Sequence, residues 1–352
     1  MREAFVLMTA LPPTVGHLEL IKFASALMSN GSVYYRDYNV TVLVCTQPGE
    51  PFPEERFFSL QEAVSTAGLT NVRISHFHQT MPQEPGSDAP AFWRQWRTVL
   101  DQYGYLPGDY LVSSEKYGVE MAEQLQGVFM PFDIERRIEP TKATSIRKDP
   151  CFYFRDILPE FRPFLRKTIT FFGAESVGKT TASYAVAALD RDRWLHEWAR
   201  PYLEAVGPHV TTEKMHRIHE GQRALQIYGQ RDTTSEFVIQ DTDLFSTVGY
   251  WEMWDKASMP EELLTDARKL QSDLYVILSS DIPFKDDPLR YGGTHRETSD
   301  QYWIDLCERE NLPYIVITDT INRWETARTA IREYFPTDYL NYQREGKEYE
   351  NV

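Results

Sequence analysis

Phe171-Phe-Gly173-Ala-Glu175-Ser176-Val-Gly178-Lys179-Thr180-Thr181 fits the pattern G-x-x-x-x-G-K-[ST] at every position. The flanks agree with it: residues 168–172 are a short apolar run of β-forming residues, and residues 179–189 are rich in alanine and helix-forming. Strand, loop and helix in that order make a P-loop rather than a chance glycine turn. The glycines let successive backbone N–H groups point inward at phosphate oxygens. Lys179 reaches the β- and γ-phosphates, and the Thr180 hydroxyl is placed to coordinate Mg²⁺. Gly173, Glu175, Ser176, Gly178, Thr180 and Thr181 are the expected contacts to a nucleoside triphosphate.

The loop lies near the middle of 352 residues. A P-loop follows the first strand of its domain, so about half the chain precedes that domain and must be a second unit. We expect an α/β chain divided into residues 1–150, a connector at 151–166, a P-loop domain at 167–336 and a polar tail at 337–352. The net charge of −15 repels a polyanion and argues against nucleic acid as a partner. No run approaches the ~20 apolar residues of a membrane span. The start passes straight into an apolar strand with no cleavable signal, which predicts a cytoplasmic protein. Cys45, Cys151 and Cys307 are widely spaced and suggest neither disulfides nor zinc. His76-Phe-His78 and His216-Arg-Ile-His219 have no third ligand at a recognisable spacing, and read as structural or surface residues.

Before the P-loop, apolar runs at residues 3–9, 40–45 and 72–77 alternate with helical patterns at 18–28 and 54–67. A further strand, helix and strand follow at 109–113, 115–126 and 128–133. This alternation predicts a parallel, doubly wound Rossmann-like sheet with its ligand site at the carboxyl ends of the strands. Thr14-Val-Gly16-His17 falls where such a site belongs. Taken alone, the tetrapeptide reads better as a helix start capped by Thr14.

Pro12-Pro-Thr14-Val-Gly16-His17 resembles the [HT]-x-G-H signature of the nucleotidyltransferase superfamily, and Thr141-Lys-Ala-Thr144-Ser-Ile-Arg147 resembles its second signature, I-S-S-T-x-x-R. Thr14 stands in place of the first histidine and Thr141-Lys142 in place of Ile-Ser. The pair, followed by a P-loop, is similar to the bifunctional nicotinamide-mononucleotide (NMN) adenylyltransferase and ribosylnicotinamide kinase family. Asp133-Ile-Glu-Arg136, Glu197-Trp198-Ala-Arg200, Asp241-Thr-Asp243 and Asp286-Asp-Pro-Leu-Arg290 extend the resemblance. It implies a bifunctional enzyme of NAD salvage, with ATP, NMN, ribosylnicotinamide and NAD as ligands, Mg²⁺ as cofactor, and homo-oligomerisation left open. His17 would bind phosphates and stabilise pentacoordinate phosphorus, with Thr14 and Gly16 beside it and Thr144 and Arg147 opposite. Trp93, in the cluster Phe92-Trp-Arg-Gln-Trp96, would stack on the nicotinamide ring, or else simply pack within a helix.

In the second half, residues 194–198 and 236–241 read as strands and 212–231 as a long helix. The carboxylates closing the second of these strands form a Walker-B arrangement. Asp241 would organise Mg²⁺. Asp243 would face the nucleoside, or cap the helix at 244–254. Trp198 and Arg200 would contact the nucleoside, and either Glu197 or Asp243 would be the general base toward its 5′-hydroxyl. Arg290, in the polar stretch 281–295, and Arg296 just after it would stabilise the γ-phosphoryl group. A strand at 274–279 and the run 299–310, 314–318 and 322–334 complete the sheet. A chain with one live site, a nucleotide-sensing regulator without turnover, and a kinase for another nucleoside are the alternatives. The regulator is disfavoured because the sequence begins at the first strand, without a DNA-binding module.

Overall fold

Ala4, Phe5 and Val6 have no solvent exposure at all. A strand that apolar on both sides must be covered on both faces, as the central strand of a parallel sheet is. The computed structural model describes residues 2–29, 38–82, 89–150, 152–230, 235–283 and 299–335. It divides into two units, the first running through Phe164 and the second starting at Leu165.

The first unit is built from β1 (Ala4–Met8), α1 (Val15–Met28), β2 (Val40–Thr46), α2 (Pro53–Thr66), β3 (Val72–His78), α3 (Ala89–Gln102), β4 (Tyr110–Ser113), α4 (Gly118–Leu125), β5 (Val128–Pro131) and α5 (Ala143–Lys148). Its strands form a five-stranded sheet in the order β3-β2-β1-β4-β5. Every pairing is parallel. The order reverses direction at β1, so the crevice beyond the carboxyl ends of β1 and β4 is the switch point where such sheets bind ligands. Within the stretch 151–166, Phe154, Ile157, Leu158 and Phe161 are buried. The Leu158 N–H donates to the Pro13 carbonyl at 3.0 Å, and Ile157 forms a β-bridge with Thr14. The chain leaves this unit within a single turn, α6 (Arg162–Leu165).

The second unit contains β6 (Lys167–Phe172), α7 (Lys179–Asp190), β7 (Arg193–Leu195), α8 (Ala199–Val206), α9 (Thr212–Gln230), β8 (Phe237–Gln240), α10 (Leu244–Asp255), α11 (Glu261–Lys269), β9 (Leu274–Leu278), α12 (Ser299–Glu310), β10 (Tyr314–Ile317) and α13 (Arg323–Tyr334). The sheet order is β10-β9-β6-β8-β7, again parallel throughout. The P-loop strand β6 is central, flanked by β8 and β9. One apolar layer packs Phe172, Tyr275 and Ile277 against Phe245, Trp251 and Trp303. The opposite face packs Ile169, Phe171 and Ile239 against Val186, Ala327 and Ile331.

β7 stops at Leu195, three residues short of the expected end, because Trp198 already has helical torsions (φ −74°, ψ −31°) and α8 begins at Ala199. Helices α3, α5, α8 and α11 add to the elements read from the sequence. In α3 the buried residues Phe92, Trp96, Val99 and Leu100 fall on one helical stripe. The expected tail, 337–352, lies outside the described residues.

Candidate active sites

In the first unit, the turn after β1 is held by three separate contacts. The Arg147 guanidinium on α5 donates to the Leu11 carbonyl at 2.7 Å, and the Arg56 guanidinium on α2 donates to the Thr9 carbonyl at 3.0 Å. Arg56 is fully buried and forms an ion pair with the equally buried Glu50 at 2.6 Å. Leu158 supplies the third contact through Pro13. A loop fixed at Thr9, Leu11 and Pro13 has little freedom before the helix starts.

Thr14 caps that helix, and its side chain and His17 form a reciprocal capping box. The His17 N–H donates to Thr14 Oγ1 at 3.2 Å, while the Thr14 N–H donates to His17 Nδ1 at 3.0 Å. A nitrogen that accepts an N–H carries no proton, so the imidazole proton sits on Nε2. Burial, then the charges of Arg136 and Arg147, push the His17 pKa down to about 4. His17 is thus a neutral donor with a fixed tautomer at the N-terminus of α1, beside two arginines. The capping and the phosphate-binding readings of Thr14-Val-Gly16-His17 are compatible: the cap orients the ring. At Gly16 an added Cβ would meet Glu139 Cβ at 3.5 Å, an ordinary contact, so the fold alone does not demand glycine there.

Thr144 is exposed on α5, one turn before Arg147. Trp93 is half-buried on α3 and meets Phe92 edge to face, with centroids 4.7 Å apart. Arg136 escaped the sequence reading as a site residue. It is held by an ion pair with Glu115. The turn carrying it is organised by the Asp133 carboxylate, which accepts the N–H groups of Arg137, Ile138 and Glu139. Those bonds hold the Asp133 pKa below the usual range. The cue was Asp133 followed three residues later by a second arginine ahead of the Arg147 motif.

In the second unit, Gly173, Ser176 and Gly178 take positive φ values of 133°, 63° and 87°. At Gly173 a Cβ would stand 2.6 Å from the Leu278 carbonyl oxygen, so only glycine fits. Val177 is buried beneath the loop. Lys179 Nζ folds back onto the carbonyls of Gly173 (2.9 Å) and Ala174 (2.8 Å) and lies 3.4 Å from the Tyr250 hydroxyl. Thr180 Oγ1 donates to Asp241 Oδ2 at 2.6 Å. Asp241 Oδ1 is buried and finds no hydrogen-bond partner among the described residues. An orphaned carboxylate oxygen beside a P-loop hydroxyl is an all-oxygen donor set of the kind that suits Mg²⁺. Among the described residues there is no cluster of three metal-ligating side chains.

Glu197 lies just beyond β7 and Asp241 just beyond the neighbouring β8, where the Asp241 N–H donates to the Leu195 carbonyl at 2.9 Å. Burial and the Asp241 charge raise the Glu197 pKa, against the lowering effect of Lys179 and Arg200. Burial likewise raises that of Asp241, opposed by the Thr180 bond and by Lys179 and Arg200. Two carboxylates and two cations therefore share one field at the mouth of the P-loop. Trp198 stacks on Tyr202, centroids 4.8 Å apart, and its ring lies over Gly221 of α9.

Of the two expectations for Asp243, the structure has the helix cap rather than a carboxylate facing the nucleoside. The residue is buried as the N-cap of α10, with Oδ1 accepting the Ser246 N–H at 2.9 Å and Oδ2 accepting the Tyr275 hydroxyl at 2.8 Å. Its pKa is pushed up to about 6 by burial. With both oxygens turned into the core, Asp243 is held as a structural carboxylate. Arg290 and Arg296 lie outside the described residues. Arg323 was not anticipated: buried at the start of α13, it donates to the carbonyls of Val177 (2.9 Å) and Ser279 (2.8 Å) and so braces the P-loop. His76 and His78 both bond the Thr46 hydroxyl, and His219 pairs with Asp266 at 3.0 Å. No helix among the described residues is long and apolar enough to cross a membrane.

Residues 168–325 match a family model described as an AAA domain. The chain is 23% identical over 271 residues to the trifunctional NAD biosynthesis/regulator protein NadR of Salmonella typhimurium, and 22% identical over 260 residues to that of Escherichia coli. Each alignment covers 71% of this chain and 62% of the relative, so the chain spans under two thirds of the curated relatives it matches. Two solved structures share its fold. A NadR protein in complex with NR superposes with a TM-score of 0.64 at 20% identity, covering 100% of this chain and 98% of the other. A NadR protein in complex with NAD and AMP-PNP gives 0.64 at 20% identity, covering 95% and 96%. The chain thus resembles these NadR proteins in fold, as a parallel Rossmann-like sheet followed by a P-loop unit.

Proposed function

We propose that this chain is a bifunctional NAD-salvage enzyme that phosphorylates ribosylnicotinamide with ATP and then transfers AMP from a second ATP to the resulting mononucleotide. The observation that carries this reading is the occurrence, in one chain, of two anion sites of different design. One is a neutral His17 donor at a helix N-terminus, in the field of Arg136 and Arg147. The other is a P-loop facing two carboxylates.

In the second unit, the P-loop N–H groups and Lys179 would hold the β- and γ-phosphates. Glu197, its pKa raised by burial and by the Asp241 charge, would accept the 5′-hydroxyl proton as that oxygen attacks the γ-phosphorus and ADP leaves. Trp198 and Arg200 would hold the nucleoside. Thr180 and Asp241 fit Mg²⁺, which when bound would neutralise phosphate charge. In the first unit no protein nucleophile is required, because the mononucleotide phosphate itself attacks the α-phosphorus and pyrophosphate leaves. His17 Nε2–H, Thr144 and Arg147 would align the triphosphate and stabilise charge on the transferring group. Gly16 leaves the backbone open to the ligand, and Trp93 would stack on the nicotinamide ring. Residues 1–150 and 167–336 are the proposed functional divisions, and the cytoplasm the proposed location.

Incubation with ATP, Mg²⁺ and ribosylnicotinamide, followed by chromatography, tests the reading. Mononucleotide and NAD should both accumulate. Mononucleotide alone would leave only the P-loop site active. Neither product, in a protein that still binds ATP, would point to a nucleotide sensor.

A further inference from the structure

Resting on the proposed kinase reading, the geometry points to Gln222 as the positioning residue that sets the separation of Glu197 and Asp241. Gln222 lies on α9 and is 2% exposed. Its Oε1 accepts the Trp198 N–H at 3.1 Å, and its Nε2 donates to the Thr242 carbonyl at 3.0 Å. Those two backbone groups belong to the residues immediately after Glu197 and Asp241. One amide therefore ties the loop following β7 to the loop following β8, one residue downstream of each carboxylate. An amide suits this role. A backbone N–H needs an acceptor and a carbonyl needs a donor, and the two ends of a glutamine supply both in a single orientation.

The neighbouring residues are arranged around the same contact. Gly221 admits the Trp198 indole, which a Cβ would meet at 2.2–2.5 Å. One turn along α9, Gln226 accepts the Leu244 N–H at 2.9 Å and donates to the Leu270 carbonyl at 3.1 Å, which holds the far side of the Asp241-Thr242-Asp243 turn. Asp241 is also fixed by Thr180 and by the Leu195 carbonyl. Loss of Gln222 therefore falls mainly on the Trp198 side, and displaces Glu197 while leaving the P-loop and Asp241 in place.

The test uses the full chain. Displacement of a reacting group by about 1 Å costs on the order of 10²-fold, so Gln222→Met should lower kcat for ribosylnicotinamide phosphorylation by roughly 10- to 100-fold. KM for ATP, calorimetric affinity for ATP without metal, and adenylylation of the mononucleotide should stay within about twofold, since neither triphosphate site is touched. In a Glu197→Gln background, Gln222→Met should lower kcat little further, because the group it positions is already gone. A wild-type kcat in Gln222→Met, or a full further loss in the Glu197→Gln background, would overturn the assignment. A wild-type protein that does not phosphorylate ribosylnicotinamide would instead overturn the kinase reading beneath it.

Discussion

Asp243, buried, and His17, half-buried, are both ionisable groups in helix capping boxes, and they differ in which protonation state the protein keeps. Burial raises the Asp243 pKa to about 6, so the folded state holds its proton more tightly than the unfolded chain does. Its contribution to stability is complete below the unfolded carboxylate range and is lost as pH rises through 6. Asparagine caps a helix as well as aspartate does. Asp243→Asn should therefore fold, keep kcat for phosphorylation within a few fold, and melt closer to wild type at pH 8 than at pH 5. A general base in that position would instead cost about 10²- to 10⁴-fold on the same substitution. His17 has the opposite sign. Its pKa falls to about 4, so the unfolded chain takes up a proton that the folded state refuses. That contribution is present above the ordinary histidine value and is lost as pH drops toward 4. Thermal melts of wild type and His17→Gln between pH 7.5 and 4.5 should show the wild type losing ground steadily to the variant, by ΔTm.

Among the elements, α9 carries the clearest test. Gly221→Ala improves an exposed helix by about 1 kcal/mol. Here the methyl would collide with Trp198, and 2.2 Å leaves no room for it. Phosphorylation should fall by about tenfold or more through displacement of the Trp198–Glu197 segment, with adenylylation unchanged as the internal control. An unaltered kcat would mean that Trp198 can shift without moving Glu197. This helix also marks where the sequence was legible. Strands β1, β2, β6 and β9 announce themselves as apolar runs, and the P-loop by its glycine spacing, since each depends on residues adjacent in the chain. The roles of Gln222, Arg323 and Arg136 depend on backbone groups brought near by the fold, such as Val177 for Arg323, and no local pattern encodes that. Asp243 was ambiguous for the same reason: a carboxylate after a strand looks alike whether it turns to solvent or to Tyr275. Helix α5 has only six residues, too few for a period to emerge.

For the whole molecule, two sites in two units predict a double dissociation. Lys179→Ala should lower ribosylnicotinamide phosphorylation by at least ~10²-fold and hardly change adenylylation, the loss expected for one preorganised charge contact. His17→Ala should do the reverse. Each assay must supply its own substrate, so that failure of one step cannot appear as failure of the next. Loss of both activities in a Lys179→Ala protein that melts like wild type would require one shared ATP site.

The clasp on the turn after β1 has a consequence for synthesis. Pro13 and Thr14 are held by Ile157 and Leu158, far along the chain. β1 can pair with β2 early, but its bonds to β4 and the tie from Arg147 to Leu11 come later. A ribosome must therefore translate as far as Leu158 before the turn that carries Thr14 is fully closed. A nascent chain arrested ahead of Leu158 should leave His17 open to histidine-directed chemical labelling, and one that has fully extruded Phe164 should protect it.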